Sequence, residues 1–398
     1  MPAIRNDILF LTLRVFSATG GIEKVCRIAG KALHENSICF QRRLRIFSMH
    51  DAGTAAIGNH YFPSEVFLGF NAHKTRFVNK AVQQGVQSRL VILSHVNLLL
   101  AAWLIKKVSP HTKIILLAHG IELWYKLSPL KKKMLSCCDE IVSVSKYTSE
   151  LVQLVQGIPS QKCSVLNNCL DPFLPLPKNA LLNASFYAKY NCSPQEKILF
   201  TLSRLSGTEH YKGYDIVLNA IKKLSTPGIR YLLAGKYDVV EKANLDKLIK
   251  KLDLQDSVVL PGFVPEEDLA SLFTMADVYV MPSSKEGFGI VFIEAMYYGL
   301  PVIAGNADGS ADALLNGALG ILIDPNSVNE LKESIEKILN DPQRYKPDAA
   351  LLCKHFSYER YKHNVNELVG RYLGVEGLKV KSERVKSESL PAGRQGES

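Results

Sequence analysis

The feature that most restricts this chain is an alternation, made twice, of short β-rich runs with helix-patterned segments. Before about residue 170 the runs are Ile8–Leu13, Arg43–Phe47, Leu90–Ser94, Lys113–Leu117, Glu140–Val144 and Cys163–Leu166. Helix patterning falls between them, as at Ile22–Leu33, Lys74–Gln84 and Thr148–Gln156. Apolar runs of strand length separated by helices predict parallel sheets with crossover helices packed on their faces. DPFLPLPKN (Asp171–Asn179) has prolines at 172, 175 and 177 and suits neither a helix nor a strand. The inter-domain linker is therefore expected over about Pro172–Pro194.

After the linker the pattern restarts. Strands are expected at Lys197–Leu202, Arg230–Ala234, Ser257–Leu260, Val278–Met281, Pro301–Ala304 and Gly320–Ile323. Helices are expected at Tyr214–Leu224, Val240–Lys251, Glu266–Met275, Ile290–Tyr298 and Val328–Asn340. The expected fold class is α/β, with two Rossmann-like parallel-sheet domains, 1–180 and 195–355, facing a central cleft. Ligands in such sheets lie beyond the carboxyl ends of the strands. A helix is expected over 356–373, and the polar, charged stretch 374–398 reads as a disordered tail.

Composition narrows the function classes. A hydrophobic share of 47% with 22% charged residues suits a soluble globular chain. The longest apolar run, Val91–Ile105, is broken by Ser94, His95 and Asn97 and reads as strand then helix, not as a membrane span. No small-residue cleavage site follows the apolar N-terminal stretch, so neither export nor an anchor is expected. Eight scattered cysteines contain no CxxC, which predicts reduced thiols in a cytoplasmic protein and no metal or disulfide framework. A net charge of +10 is partly local, because Tyr125–Leu135 sets Lys126, Lys131, Lys132 and Lys133 among leucines. That segment is either an exposed helix end or a docking site for the anionic inner face of a membrane. No basic stripe interleaved with aromatics points to nucleic acid.

Three loops carry chemistry. FSATGGIEKV (Phe16–Val25) places Gly20-Gly21 between a strand and a helix, where backbone amides can approach a phosphate or simply make a tight turn. SRLSGTEHYKGYD (Ser203–Asp215) delivers Arg204 and Lys212 into one loop, a guanidinium fork and an ammonium suited to a pyrophosphate. KEGFGIVFIEA (Lys285–Ala295) holds Glu286 at a loop and Glu294 inside an apolar helix. An ionised carboxylate in such surroundings needs a partner. Gly287 and Gly289 leave the loop bare, so a ligand could reach the amides of Phe288, Gly289 and Ile290. Both glutamates could accept from sugar hydroxyls, and a carboxylate matches a vicinal diol. The plainer alternatives are a core ion pair for Glu294 and a helix cap for Glu286.

The order of TGGIEKV, AHGIELW, VSVSKYTSELV, VLNNCLDP, SRL…YKG, LAG, PGFVP and EGFGIVFIEAMYYGLPVIA resembles the retaining glycosyltransferases of family 4, which have the GT-B fold. The resemblance spans roughly Leu9–Tyr372, and the EGFG…E block is its most specific piece. It implies a first domain on the acceptor side, a second that binds a nucleotide-sugar, and a C-terminal helix packing back toward the first domain. It implies Glu286 on the donor sugar, Glu294 on the ribose diol, and Arg204 with Lys212 on the diphosphate. Gly20-Gly21 would close on phosphates or acceptor, His119 of AHGIE would lie near the transferred sugar, and Gly262-Phe263-Val264 would receive the base through backbone groups. The expected reaction is metal-independent transfer, with retention and no cofactor, to a glycan or lipid-linked acceptor in surface polysaccharide synthesis. A donor phosphate oxygen would assist the acceptor's deprotonation.

Departures from the family pattern accompany this resemblance. Arg204 and Lys212 are farther apart than usual, so the loop is expected to bulge through Gly207–His210. Lys236 follows LAG, and Asn168 and Cys169 stand where Gly-Val is frequent. Asp308 and Asp312 could touch the acceptor or hold their loop, and the loop role is the one expected. A nucleotide-sugar epimerase of the same architecture and a non-catalytic nucleotide-sugar-binding protein are the alternatives.

Overall fold

The computed structural model describes residues 7–177, 180 and 182–374. Most of the stretch expected to be a disordered tail lies outside the described residues. The first domain contributes seven strands: β1 (Ile8–Thr12), β2 (Leu44–Ser48), β3 (Phe67–Gly69), β4 (Leu90–Leu93), β5 (Lys113–Ala118), β6 (Glu140–Ser143) and β7 (Cys163–Val165). They form one parallel sheet in the order β3-β2-β1-β4-β5-β6-β7. Its helices are α1 (Gly21–Cys39), α2 (Lys74–Gly85), α3 (Leu99–Val108), α4 (Ile121–Trp124), α5 (Pro129–Leu135) and α6 (Lys146–Gln156).

The segment expected to be a linker contains a helix, α7 (Ala184–Lys189). Asn183 caps it by accepting from the Phe186 amide at 2.9 Å, and Phe186 and Tyr187 pack on the second-domain core. The second domain follows with β8 (Lys197–Leu202), α8 (Tyr214–Lys223), β9 (Ile229–Ala234), α9 (Val239–Leu252), β10 (Val258–Gly262), α10 (Glu266–Met275), β11 (Val278–Met281), α11 (Ile290–Tyr297), β12 (Val302–Gly305), α12 (Ser310–Ala313), β13 (Ile321–Ile323) and α13 (Val328–Asn340). Its sheet is also parallel, in the order β10-β9-β8-β11-β12-β13.

Each central strand is buried on both faces, as its uninterrupted apolar sequence requires. ILFLT of β1, LVIL of β4 and VYVM of β11 are buried at every position. Two apolar layers sandwich each sheet, one on either face. In each sheet the strand order reverses next to the first strand, between β1 and β4 and between β8 and β11. Connections leave in opposite directions there, and a crevice opens beyond the strand ends.

After α14 (Ala349–Phe356), Ser357 breaks the helix and caps α15 (Tyr358–Leu373). α15 lies on the first domain against α1 and buries Tyr361, Val365, Leu368, Val369 and Leu373 in its core. The Tyr358 hydroxyl donates to Glu35 at 2.9 Å, and Arg371 and Tyr372 meet Glu140. The chain thus passes between the domains twice. The passages touch, with the Leu170 amide donating to the Phe356 carbonyl at 2.8 Å.

Candidate functional site

The loops beyond both sheet reversals face one another. In the second domain, the β8–α8 loop makes a turn over His210–Lys212 after Glu209, so the extra residues are folded and not splayed. Gly213 follows at φ +75°, and a side chain there would strike the Pro282 carbonyl at 2.4 Å. This turn aims Lys212 at Glu286, and the two form a largely buried ion pair. Burial works against the ammonium, but the Glu286 charge outweighs it and holds Lys212 above the usual lysine range. Arg204 makes a two-pronged ion pair with Glu209, with Nε at 2.9 Å, and its guanidinium stays largely exposed. That hydrogen-bonded pairing raises the Arg204 pKa further.

The β11–α11 loop is held from beneath by Asp308. Its carboxylate accepts from the Glu286 amide at 2.6 Å, the Ser283 hydroxyl at 2.9 Å and the Ser310 amide at 2.9 Å. Burial pushes its pKa up to about 6 against these bonds. Asp312 reaches across to accept from the Lys146 amide at 2.8 Å. Both aspartates therefore hold loops, as expected. The amides of Phe288, Gly289 and Ile290 make no hydrogen bond among the described residues. The Phe288 ring itself is buried edge-on against Phe356, so only its backbone is available.

The two glycines work differently from the expectation that they clear space for a ligand. A side chain at Gly287 would come within 1.9 Å of the His119 carbonyl oxygen, so that space is taken by the first domain. Gly289 has φ +84°, and a Cβ there would meet the Phe292 ring at 2.3 Å. Gly287 is a domain contact and Gly289 a backbone turn.

Glu294 is buried on α11, and its partner comes from the other domain. Lys24 of α1 donates to its Oε1 at 2.5 Å, with the two side chains only 15% and 6% exposed. Burial disfavours the Lys24 ammonium, yet Glu294 keeps its pKa above the usual value. The ion-pair alternative for Glu294 is thus present, across the domain junction and not within one core. Oε2 of the same carboxylate has no hydrogen-bond partner among the described residues.

On the first-domain side, Asp51 is fully buried and ties down the loop after β1. It accepts from the Val15 amide at 2.6 Å, the Ser17 amide at 2.7 Å and the Ser48 hydroxyl at 2.5 Å. These bonds override burial and hold its pKa low. Gly20 then enters α1 with no side-chain cap, and beside Gly21 the space is open. His119 is anchored at both ends: its amide donates to Glu122 at 2.6 Å, and Nε2 lies 2.8 Å from the Ser94 carbonyl. A carbonyl only accepts, so Nε2 carries the hydrogen.

The structure therefore brings together Gly20-Gly21, His119, Lys212, Glu286, Gly287 and Glu294, with Arg204 at the edge. Gly262, at φ +74°, lies beside the Tyr237 ring with Phe263 exposed, while the Val264 side chain is buried in the core. Lys126, Lys131, Lys132 and Lys133 stand apart on the exposed surface of α5 and its approach. Lys24, Asp51 and Glu209 were not expected from the sequence, because each acts through a partner brought near by folding. Among the described residues no group of three metal-ligating side chains gathers.

Two parallel-sheet domains whose reversal loops face one another define the GT-B architecture. Residues 186–357, most of the second domain, match the family model for glycosyl transferases group 1. An uncharacterised glycosyltransferase of Methanocaldococcus jannaschii is 28% identical over 51% of this chain and 51% of its own length. A GDP-mannose-dependent phosphatidylinositol monomannoside mannosyltransferase of Mycolicibacterium smegmatis is 28% identical over 58% of this chain and 62% of its own. The chain spans about half the length of the curated relatives it matches. Among solved structures, Anabaena HepE in complex with UDP and glucose superposes with TM-score 0.73 at 19% identity, over 92% of this chain and all of that one. Sucrose-phosphate synthase of Thermosynechococcus elongatus gives 0.74 at 20%, over 92% and 99%. These likenesses show the fold.

Proposed function

We propose that the protein is a retaining, metal-independent glycosyltransferase. It moves a sugar from a nucleotide-diphosphate donor to a glycan or glycolipid acceptor, in surface polysaccharide biosynthesis. The observation that carries this reading is the convergence of Lys212, Glu286 and the unoccupied amides of 288–290 at one sheet reversal, with His119 of the other domain against Gly287.

The chemistry follows from that arrangement. As the bond from the sugar to the nucleotide breaks, negative charge grows on the departing phosphate. Lys212 and Arg204 are worth more there than in the ground state. Glu286 holds sugar hydroxyls while its pairing with Lys212 fixes its position. Glu294 holds the ribose diol through Oε2 and keeps Lys24 on Oε1, since a carboxylate has about four acceptor sites. The acceptor hydroxyl gives its proton to a phosphate oxygen and bonds to the same face of the sugar. His119 positions the sugar, because its Nε2–H is committed to Ser94. Phe263 and its neighbours offer backbone groups to the base.

Among the described residues no helix is long and apolar enough to cross a membrane. We place the protein at the cytoplasmic face, docked on anionic lipid through the exposed lysines of α5 beside exposed Leu130 and Tyr125.

A thermal-shift screen against UDP-, GDP-, ADP- and TDP-sugars, followed by mass-spectrometric detection of transfer, tests the reading. Bound donor stabilises the fold by mass action. Lys212→Ala and Glu294→Ala should each abolish transfer, and near-normal rates in both folded variants would remove the donor-site assignment. Activity should survive EDTA, whereas a strict divalent-ion requirement would rule out the metal-free mechanism.

A further inference from the structure

The proposed reaction leaves the acceptor's chemistry open, and the first domain carries a feature that bears on it. A cavity of about 270 Å³ opens at the reversal of the first sheet, beyond the ends of β1, β2 and β4. Its volume is just under the roughly 300–1,000 Å³ of ordinary ligand pockets, room for one sugar-sized unit. Ser94 lines it, and the Ser94 carbonyl holds His119, so the cavity adjoins the proposed transfer point.

Three polar side chains line the cavity with their functional groups uncommitted, and a fourth keeps one free ring nitrogen. The Arg14 guanidinium, after β1, makes no hydrogen bond or ion pair among the described residues. The same holds for the imidazole of His50, after β2, and the carboxylate of Glu23, in the first turn of α1. His95 is the fourth, and its state is set: Nδ1 accepts from the Asn97 amide at 3.1 Å, so Nε2 carries the hydrogen and is free to donate. The His50 amide donates to the Leu13 carbonyl at 2.9 Å, so Arg14 and His50 follow adjacent strand ends on one side of the cavity.

The lining therefore offers two kinds of chemistry. The Glu23 carboxylate and the His95 N–H, one acceptor and one donor, match a hydroxyl. The Arg14 guanidinium fork, beside His50, matches a phosphate or carboxylate. A guanidinium without a carboxylate partner gains most from an anionic ligand, since charge-assisted hydrogen bonds are about twice as strong as neutral ones. Resting on the glycosyltransferase reading, which sets the acceptor on the first domain, we propose that the acceptor unit held in this cavity is a sugar or polyol bearing an anionic group. Glu23 and His95 hold the reactive hydroxyl, and Arg14 with His50 holds the anion.

The test uses the full chain with UDP saturating and again without nucleotide, with binding of glucose 1-phosphate, glucuronate and glucose followed by ligand-observed NMR. At least one charged probe should bind about tenfold or more tightly than glucose, the increment expected of one charge-assisted contact. A response to the phosphate alone identifies a phosphate ester, and to glucuronate alone an acidic sugar. Arg14→Ala should lower the charged probe to the affinity of glucose, and Arg14→Lys should restore part of the preference. Arg14 is exposed, so an unchanged melting temperature is expected to accompany the loss. Lys212→Ala should leave the preference in place, which separates this cavity from the donor phosphate site. Equal binding of charged and neutral probes, no binding of any probe, or a preference that survives Arg14→Ala overturns the proposal. UDP binding is read separately in the same samples, so a failure of nucleotide recognition is distinguishable from a failure of the anion clamp.

Discussion

Lys24→Met is the most informative single substitution at the domain junction. Methionine keeps the length and apolar stem of lysine and removes only the ammonium. Glu294, 6% exposed, would then keep a buried carboxylate without its cation. Breaking a buried pair in this way costs about 3–5 kcal/mol. The Lys24 side chain retains 15% exposure, and water can reach that side of the carboxylate, so the lower end, about 3 kcal/mol, is expected. With a urea m-value of roughly 3 kcal/mol/M for a large chain, the unfolding midpoint should fall by about 1 M. Glu294→Gln in the Lys24→Met background should recover most of that loss, because an amide needs no cation. The lysine pKa is raised on folding, so the contribution of the pair is complete below the ordinary value of 10.5 and disappears as pH rises through the folded value. The difference between wild type and Lys24→Met should accordingly shrink in alkali. A midpoint that barely moves, or a double variant no more stable than the single one, would refute the claim that the pair holds the domains.

Gly287→Ala should lower transfer at least tenfold while far-UV circular dichroism stays unchanged, because its Cβ would sit 1.9 Å from the His119 carbonyl and part the two domains. Asp308 titrates at about 6 in the fold against an ordinary 3.8, so the folded state binds its proton more tightly. The stability it confers should fall as pH rises between those values, measured as wild type against Asp308→Asn across pH 4–6.5 by urea unfolding. Neutralising Lys131, Lys132 and Lys133 should reduce flotation with anionic liposomes and leave transfer to a soluble acceptor intact. Unchanged flotation would dispose of the membrane docking.

Much of the architecture was legible because buried parallel strands must be apolar along their whole length. ILFLT, LVIL and VYVM cannot be mistaken for half-exposed ribbons. β3 escaped notice because three residues at a sheet edge, one of them exposed, carry no periodicity. α7 was hidden by the prolines before it. The pieces of the proposed donor site are local patterns of residue type, glutamates flanking a glycine turn and cations in one βα loop. Their partners are not local. Lys24 lies 270 residues from Glu294, and nothing in KEGFGIVFIEA distinguishes a carboxylate awaiting a ribose from one already held by a lysine. Gly287 likewise looked like room for a ligand because the segment that fills the space, His119-Gly120, belongs to another domain.

The contact between Leu170 and Phe356 fastens the junction at two adjacent points of the chain, like two pins set side by side. A single tether lets one domain swing, twist and slide. Two adjacent tethers joined by a hydrogen bond restrict how one domain can turn against the other more than a single strand of chain would. A protease cut between residues 172 and 183 would sever one pin, and the halves would stay attached through Ser357. The nicked protein would then run as one body on a sizing column while losing the alignment that brings the two sheet reversals face to face.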